Sequence, residues 1–516
     1  MITFFVVTFF QSCHEKGSAF KNSSLEWADY DGLRDSSLVI SESAIKNHIK
    51  TLCKNDRDSM LADAKLRSFY TNRPSFLWIN RFGVTAQADT LLEWLSGVEK
   101  MGFSPRRFCI PQISDDLQAL RSLQFDEKTG SINQLLARLE YQLTKAFLRY
   151  ATGQRFGFTN PQYALNHFDV KKRDSLHVEY HRLFDIPMDR PDKFFFEKAV
   201  KMVTRDSLDT FLASVQPHSA LFERFAALLG SGDSVQHYGK PKLLCNLERC
   251  RWRLKDKPSD HEKYVFVNIP AFSLLAVDGD SVMTMRVGCG TVKTKTPLLT
   301  SRIKRMDVNP QWIIPRSIVE KDIVRHVGNP NYFASRHYFV RHRKTGRNIP
   351  IEQVTYGMLM NRDYMVLQEG GAGNSLGRII FRFDNNFSVY LHDTSSPAFF
   401  SNDNRGVSHG CVRVQRPFDL AVFLLKDKDE TLIDRIRYSM TADVSSLGSN
   451  RQKPQSEQAD TLDRSRLISS HTLEDEVPVF LTYYTLYPDV HGAIRSYGDV
   501  YGYDQVLYNQ LKPYVE

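Results

Sequence analysis

The run Val407-Ser408-His409-Gly410-Cys411-Val412-Arg413-Val414 places a thiol directly behind a glycine and between a histidine and an arginine. Glycine lets backbone approach a reacting centre closely, so amides around Gly410 and Cys411 are suited to receive a developing oxyanion. Arg416-Pro417 follows, with Pro417 well placed as the first residue of a helix carrying Phe418, Ala421, Val422 and Leu425 on one face. The spacing therefore predicts a thiol in a turn shortly before a helix, a setting that exposes a nucleophile and depresses its pKa. A thiol attacks as thiolate, and His392, 19 positions earlier, is the candidate base. Asp393 follows it directly, and either its carboxylate or a backbone carbonyl there would hold the imidazole tautomer. The competing interpretation is a cysteine that is merely packed, a common fate for this residue type.

The elements around these residues read as β-structure. Phe381 to His392 forms a hairpin pattern in which Asp384-Asn385-Asn386 turns the chain. Phe387, Val389 and Leu391 then alternate with Ser388, Tyr390 and His392, so His392 closes a strand facing opposite Leu391. Upstream, Tyr264 to Ile269, Leu274 to Val277 and Val282 to Val287 read as strands, with a turn at Asp278-Gly279. Val477, Val479, Leu481 and Tyr483 give a final alternating strand. Between Ile318 and Gly373 the pattern loosens into a segment rich in Arg and His, from Arg325 to Arg347, ending in Gly370-Gly371-Ala372-Gly373. A basic subdomain on a glycine hinge suits a lid over an anionic substrate, and a solvated insertion is the plain alternative.

Residues 20 to about 235 read as helical. Leu91, Leu92, Leu95 and Val98 share a helical face, with Gly102 and Pro105 placed to stop it. A second helix opens at Ser131, with Gln134 completing a capping box, and carries Ile132, Leu135, Leu136, Leu139, Leu143 and Phe147 on one side. Residues 443 to 472 are polar and poor in large apolar side chains, which predicts a flexible loop.

At 516 residues with 42% hydrophobic content, the chain can bury several cores and is not a disordered protein. The formal charge of +9 is spread along the chain, compatible with anionic envelope polymers or lipid head groups but equally with a solvated surface. No metal, nucleotide or nucleic-acid motif is visible, so no cofactor and no nucleic-acid partner is expected. Ile2 to Phe10 is apolar and too short to span a bilayer, and it ends in Gln11-Ser12-Cys13. It reads as a secretory segment over residues 1–19 whose Cys13 resembles a lipidated lipoprotein cysteine. A buried N-terminal strand is the alternative, though polar Gln11 to Ser18 would have to follow it into a core. Of the other six cysteines, Cys53, Cys109, Cys245, Cys250 and Cys289 are expected to be buried small hydrophobes, with Cys411 the exception.

The first His, the 15 residues from Asp393 to Val407 and the Ser-His-Gly-Cys run resemble the signature of L,D-transpeptidases. Asn246-Leu247-Glu248-Arg249, Val267-Asn268-Ile269-Pro270, Thr296-Pro297, Asn309-Pro310, Ile314-Pro315-Arg316-Ser317-Ile318, Gly373-Asn374-Ser375-Leu376-Gly377 and Tyr390-Leu391-His392-Asp393-Thr394 are similar, in order, to landmarks of the large YcbB-like branch of the YkuD-fold family. Leu77-Trp78 and Ala146-Phe147-Leu148-Arg149-Tyr150 resemble that branch's scaffold domain. The resemblance implies an α+β multidomain protein: a helical scaffold domain over 20–245, and a β-rich catalytic domain over 246–516 with a capping insertion at 318–373. It further implies Cys411 as acyl-enzyme nucleophile and His392 as general base, with Ser408, His409, Gly410, Arg413 and Asp393 around the oxyanion and substrate pocket. Arg413 would order the loop or hold a carboxylate, with a structural salt bridge as the alternative, and His409 has a packing role as its alternative. The implied activity is 3-3 cross-linking of peptidoglycan stems, from a donor tetrapeptide to an acceptor stem, by a carbapenem-sensitive enzyme on the periplasmic side of the envelope. L,D-carboxypeptidase activity in the same pocket and a non-catalytic, lipid-anchored binding protein are the rivals. Many members of the branch insert a peptidoglycan-binding module before the Asn-Leu-Glu-Arg landmark, and none is evident here between Phe225 and Asn246.

Overall fold

The change of residue periodicity near Tyr264 is a change of architecture in the computed structural model, which describes residues 39–72, 75–125, 130–173, 177–442, 444 and 462–516. Cys13, the secretory segment and most of the 443–472 loop lie outside the described residues. The chain divides into two compact units. One comprises described residues up to Thr159, with Arg190–Lys240 and Gln510–Glu516, and the other comprises Asn160–Asp189 and Pro241–Asn509. Residues 160–189, assigned from sequence to the helical half, pack with the second unit.

The first unit is mainly helical, with α1 (Glu42–Asn55), α2 (Asp63–Asn72) and α3 (Ile132–Phe156) at its centre. The capping box at the start of α3 is present: the Ser131 amide donates to Gln134 Oε1 at 2.8 Å, and the Gln134 amide donates to Ser131 Oγ at 3.4 Å. All six apolar residues of its expected face are buried, and so are polar Glu140, Thr144, Lys145 and Arg149 on other faces. These polar groups are tied down; Glu140, for example, accepts the Leu77 and Trp78 amides at 2.6 and 2.9 Å. The helix around Leu91 ends at Leu95 rather than Gly102, and turns carry the chain onward.

The second unit is built on strands β1 (Phe184–Asp185), β2 (Lys263–Asn268), β3 (Ser273–Asp278), β4 (Ser281–Gly290) and β5 (Leu298–Val308). The insertion begins earlier than expected, before Ile318, and supplies β6 (Trp312–Ile313), β7 (Tyr338–His342), β8 (Asn348–Ile349) and β9 (Tyr364–Gln368). The fold then returns through β10 (Ile379–Phe383), β11 (Leu391–His392), β12 (Gly406–Ser408), β13 (Val412–Val414) and β14 (Ser470–Thr482). The main sheet runs β10-β11-β13-β4-β3-β2-β14-β5, and β5 also pairs with β10, so it closes on itself like a barrel. Closure leaves these strands without a free edge and brings β11 beside β13.

Several expectations need correction. β14 begins at Ser470, inside the expected loop, and Val477 to Leu481 are all buried instead of alternating, so both faces of the strand are covered there while its edges pair with β2 and β5. The insertion is not a loosened chain. Its sheet runs in the order β6-β9-β7-β8 and packs with short helices around Ile314, Val319, Ile323, Phe333, Val340 and Val366. Its two-residue strands are too short to leave an alternating signal. Of the five cysteines expected to be buried, only Cys245 and Cys289 are fully so; all six described cysteines are free thiols.

Candidate active site

Strands β11 and β13 are parallel, with Leu391 opposite Val412 and His392 opposite Arg413. Directly before these pairs, the Val412 amide donates to the Tyr390 carbonyl at 2.9 Å. Side chains two apart on a strand share a face. His392 and Arg413, directly paired, share a face, and with the flanking Tyr390 and Cys411 they line a single cavity of about 680 Å³. The alternate residues Leu391, Val412 and Val414 are buried in the core.

His392 is 3% exposed, and its Nδ1 lies 2.5 Å from the Asp393 carbonyl oxygen. A carbonyl only accepts, so Nδ1 carries the proton and Nε2 is the basic nitrogen. Of the two orienting groups open from sequence, the backbone carbonyl is thus the one used. The Asp393 carboxylate accepts the Arg378 amide at 2.8 Å and does not line the cavity. Gly377, at φ +67°, packs against that carboxylate so closely that a Cβ would stand 2.5 Å from it.

The loop before β13 is held from inside. The Gly410 amide donates to Ser408 Oγ at 3.1 Å, and the Ser408 hydroxyl donates to the Cys411 carbonyl at 2.5 Å. The Ser408 carbonyl accepts the Thr291 amide at 3.1 Å and the Thr294 hydroxyl at 2.8 Å. Gly410 adopts φ +117°, a conformation that favours glycine. Its amide is committed to Ser408, which removes it from the oxyanion donors expected around the thiol. His409 is exposed at the cavity wall.

Cys411 is half-buried, with Sγ 3.9 Å from the Ser388 carbonyl oxygen. Burial pushes its pKa up, opposed by the Tyr390 amide and the Arg413 charge. Burial and the same Arg413 charge pull His392 down to about 4. The pair at rest is a neutral thiol and a neutral imidazole. This corrects the expectation of a depressed thiol: a strand, β13, follows Cys411, and the helix begins only at Pro417 (Pro417–Leu424). Of the expected face, Ala421 and Leu425 are buried while Phe418 and Val422 are half-exposed, and Leu420 and Leu424 are buried beside them.

Arg413 lines the same cavity without a salt bridge. Among the described residues it has no hydrogen-bond or carboxylate partner; its buried Nε is unsatisfied, and its guanidinium lies 5.7 Å from the Phe399 ring centre. Ser388 escaped the sequence reading. Residues Phe387 to Tyr390 are loop, not strand, and Ser388 sits at φ +55°, which directs its carbonyl to the thiol. The available signal was Asn385, whose side-chain oxygen accepts the Phe387 and Val389 amides at 2.9 and 3.1 Å in the manner of an Asx turn. Thr294 and the insertion residues Trp312, Arg316 and Leu359 also line the cavity and were missed.

Residues 262–433 match the L,D-transpeptidase catalytic domain family, YkuD. Residues 262–433 form a YkuD domain. Residues 64–229 match the Scaffold domain family, so a helical scaffold domain precedes it. A protein of Haemophilus influenzae named "Putative L,D-transpeptidase" is 28% identical over 322 residues, covering 62% of this chain. The chain spans 60% of the length of that curated relative. The YkuD match takes in the thiol, the imidazole and the insertion. It stops before β14, which nonetheless pairs with both β2 and β5 of the barrel.

Proposed function

We propose that this protein is an L,D-transpeptidase that forms peptidoglycan 3-3 cross-links through a thioester on Cys411. The observation that carries this reading is that His392, on β11, and Cys411, directly before the parallel strand β13, line one cavity. His392 Nε2 takes the Sγ proton as the sulfur attacks the carbonyl of the third residue of a tetrapeptide stem. A C–S bond forms, the C–N bond to the terminal D-alanine breaks, and His392 returns the proton to the departing amine. A side-chain amine of a second stem then attacks the thioester. An amide bond forms, the C–S bond breaks, and the amine's proton passes through His392 back to sulfur. With the Gly410 amide engaged, the Cys411 amide is the backbone donor left for the oxyanion.

The insertion closes over the cavity through Trp312, Arg316 and Leu359, which favours a bound acceptor over water. We further propose that the enzyme works on the periplasmic side of the envelope, held by lipid on Cys13, since an apolar run ends at that residue.

Incubation of the purified protein with tetrapeptide muropeptides, followed by mass spectrometry, tests the reading. Cross-linked dimers lacking one D-alanine are the expected product. Tripeptides alone would make it an L,D-carboxypeptidase, and unchanged substrate would favour a binding protein.

A further inference from the structure

We propose that the described part of residues 160–189 carries a glycan subsite: the exposed ring stack of Tyr163 and His167, with Tyr180 beside it, receives a sugar ring of the peptidoglycan strand whose stem occupies the cavity. This rests on the transpeptidase reading of that cavity and concerns the part of the substrate that the cavity does not hold.

The segment is fastened to two loops of the cavity wall. Thr294 lines the cavity, and its neighbour Lys295 pairs with Asp169 at 2.9 Å and lies 5.5 Å from the Phe168 ring centre. Phe387 lines the cavity as well, and its neighbour Asn386 donates to the Asp185 carboxylate at 3.1 Å. Between these two points β1 pairs with β5, Phe184 opposite Leu298 and Asp185 opposite Leu299.

Much of what this segment presents adds nothing to a core. Tyr163 is 60% exposed, and Phe168, Val170 and Val178 are exposed with it. The Tyr163 and His167 rings stack at 4.4 Å and 28°, and the Tyr180 ring stands 5.2 Å from His167. Backbone holds the stack in place: His167 Nδ1 donates to the Tyr163 carbonyl at 2.8 Å, and the Tyr163 amide donates to Asn160 Oδ1 at 3.1 Å. Apolar side chains exposed together mark an interaction surface. Rigid rings with polar tips suit a ligand that has an apolar C–H face edged by hydroxyls, and a pyranose is such a ligand.

Covalent reach and charge select the occupant. The stem is carried by a sugar, and three extended residues separate that sugar from the attacked carbonyl by only about 10 Å. A glycan must therefore lie close beside the cavity whenever a stem is inside it. On the adjoining strand Lys171 pairs with Glu179 at 2.6 Å, while exposed Lys172 and Arg173 form no ion pair among the described residues. A strand that repeats anionic stems along its length complements these cations.

Two measurements on the full chain test this. Glycan strands stripped of their stems are titrated into the protein by calorimetry, and acylation of Cys411 by a tetrapeptide still joined to its disaccharide is compared with acylation by the free tetrapeptide. Wild type should bind the strands and favour the sugar-linked donor. Tyr163→Ala should weaken strand binding by about threefold to tenfold, the range for one aromatic contact, and lower the donor ratio by a similar factor. Tyr163→Phe keeps the ring and should restore both. The donor ratio is taken within one variant, so a reduced folded fraction does not enter. Strands that fail to bind wild type, or that bind Tyr163→Ala as tightly, overturn the proposal, and acylation by the free tetrapeptide then leaves the transpeptidase reading standing. Anionic lipid vesicles bound in place of strands would make the surface a membrane contact and overturn it equally. Strand binding that depends on Tyr163, with acylation by neither donor, retains the glycan subsite and overturns the transpeptidase reading.

Discussion

Two arginines, one buried and one half-buried, are treated in opposite ways by the two halves of this protein. In the helical unit, Arg149 bonds Asp63 through Nε and Nη2 at 2.8 and 2.9 Å and Asp58 at 2.7 Å, and it also meets the Arg107 carbonyl. Burial pulls its pKa down, but Asp63 and Asp58 more than offset this and leave it raised. In the YkuD domain, burial likewise pulls Arg413 down, and only the Cys411 thiol opposes it, so its pKa is lowered. A buried charge supplied with its own counter-charges is architecture. Arg413, half-buried and without a counter-charge among the described residues, instead stands on the wall of a cavity opposite His392.

The comparison breaks most easily at its architectural end. Arg149→Met leaves Asp63, 0% exposed, as an unpaired buried carboxylate, and urea denaturation should show a loss of about 3–5 kcal/mol. Arg413→Met should stay within about 1 kcal/mol of wild type, since it removes a cost along with a contact. The reverse ordering would erase the distinction between the two residues.

Next in size is Gly377→Ala. Its Cβ would press on the Asp393 carboxylate from a left-handed backbone position, displacing the carbonyl that orients His392. The acylation rate should fall by about tenfold to a hundredfold, as misplaced catalytic groups do. An unchanged rate would mean the imidazole is held by something other than Asp393.

A third test concerns protons. The thiol is raised, and His392 is neutral above about pH 4. Alkylation of Cys411 by iodoacetamide should therefore climb steadily with pH from about 6 to 9, the side on which a raised thiol ionises. A flat profile there would reveal a resting thiolate–imidazolium pair. The depressed pKa of His392 also has a stability sign. The unfolded chain binds the proton first, so the contribution of His392 is fully present above about pH 6.5 and is lost as pH falls toward about 4.

The smallest expected effect lies in the helical unit. Ser131→Ala removes the cap of α3 and should cost about 0.5–1 kcal/mol in denaturation, with no change in Cys411 acylation.

What could be read from sequence was local. The capping box at Ser131 and the hairpin from β2 to β4 depend on neighbours within a few turns or strands, and the structure carries both. What could not be read was set by distant chain. The parallel register that puts Arg413 opposite His392 exists only once the barrel closes, and the same burial turns an expected low thiol pKa into a raised one. β14 looked like a half-exposed alternating strand because nothing local indicated that both of its sides would be covered. Ser388 was hidden by a polar-apolar alternation that Asn385 overrides with its own side-chain hydrogen bonds.

The central claim is that the sulfur of Cys411, served by His392, carries the acyl group. Peptide mapping of the protein after incubation with a tetrapeptide donor, quenched in acid, addresses it most directly. The account predicts a tripeptide thioester on the fragment containing Cys411 in wild type, a slowed appearance in His392→Ala, and none in Cys411→Ala. Cross-links still formed by Cys411→Ala, or the acyl group found on another residue, would contradict it.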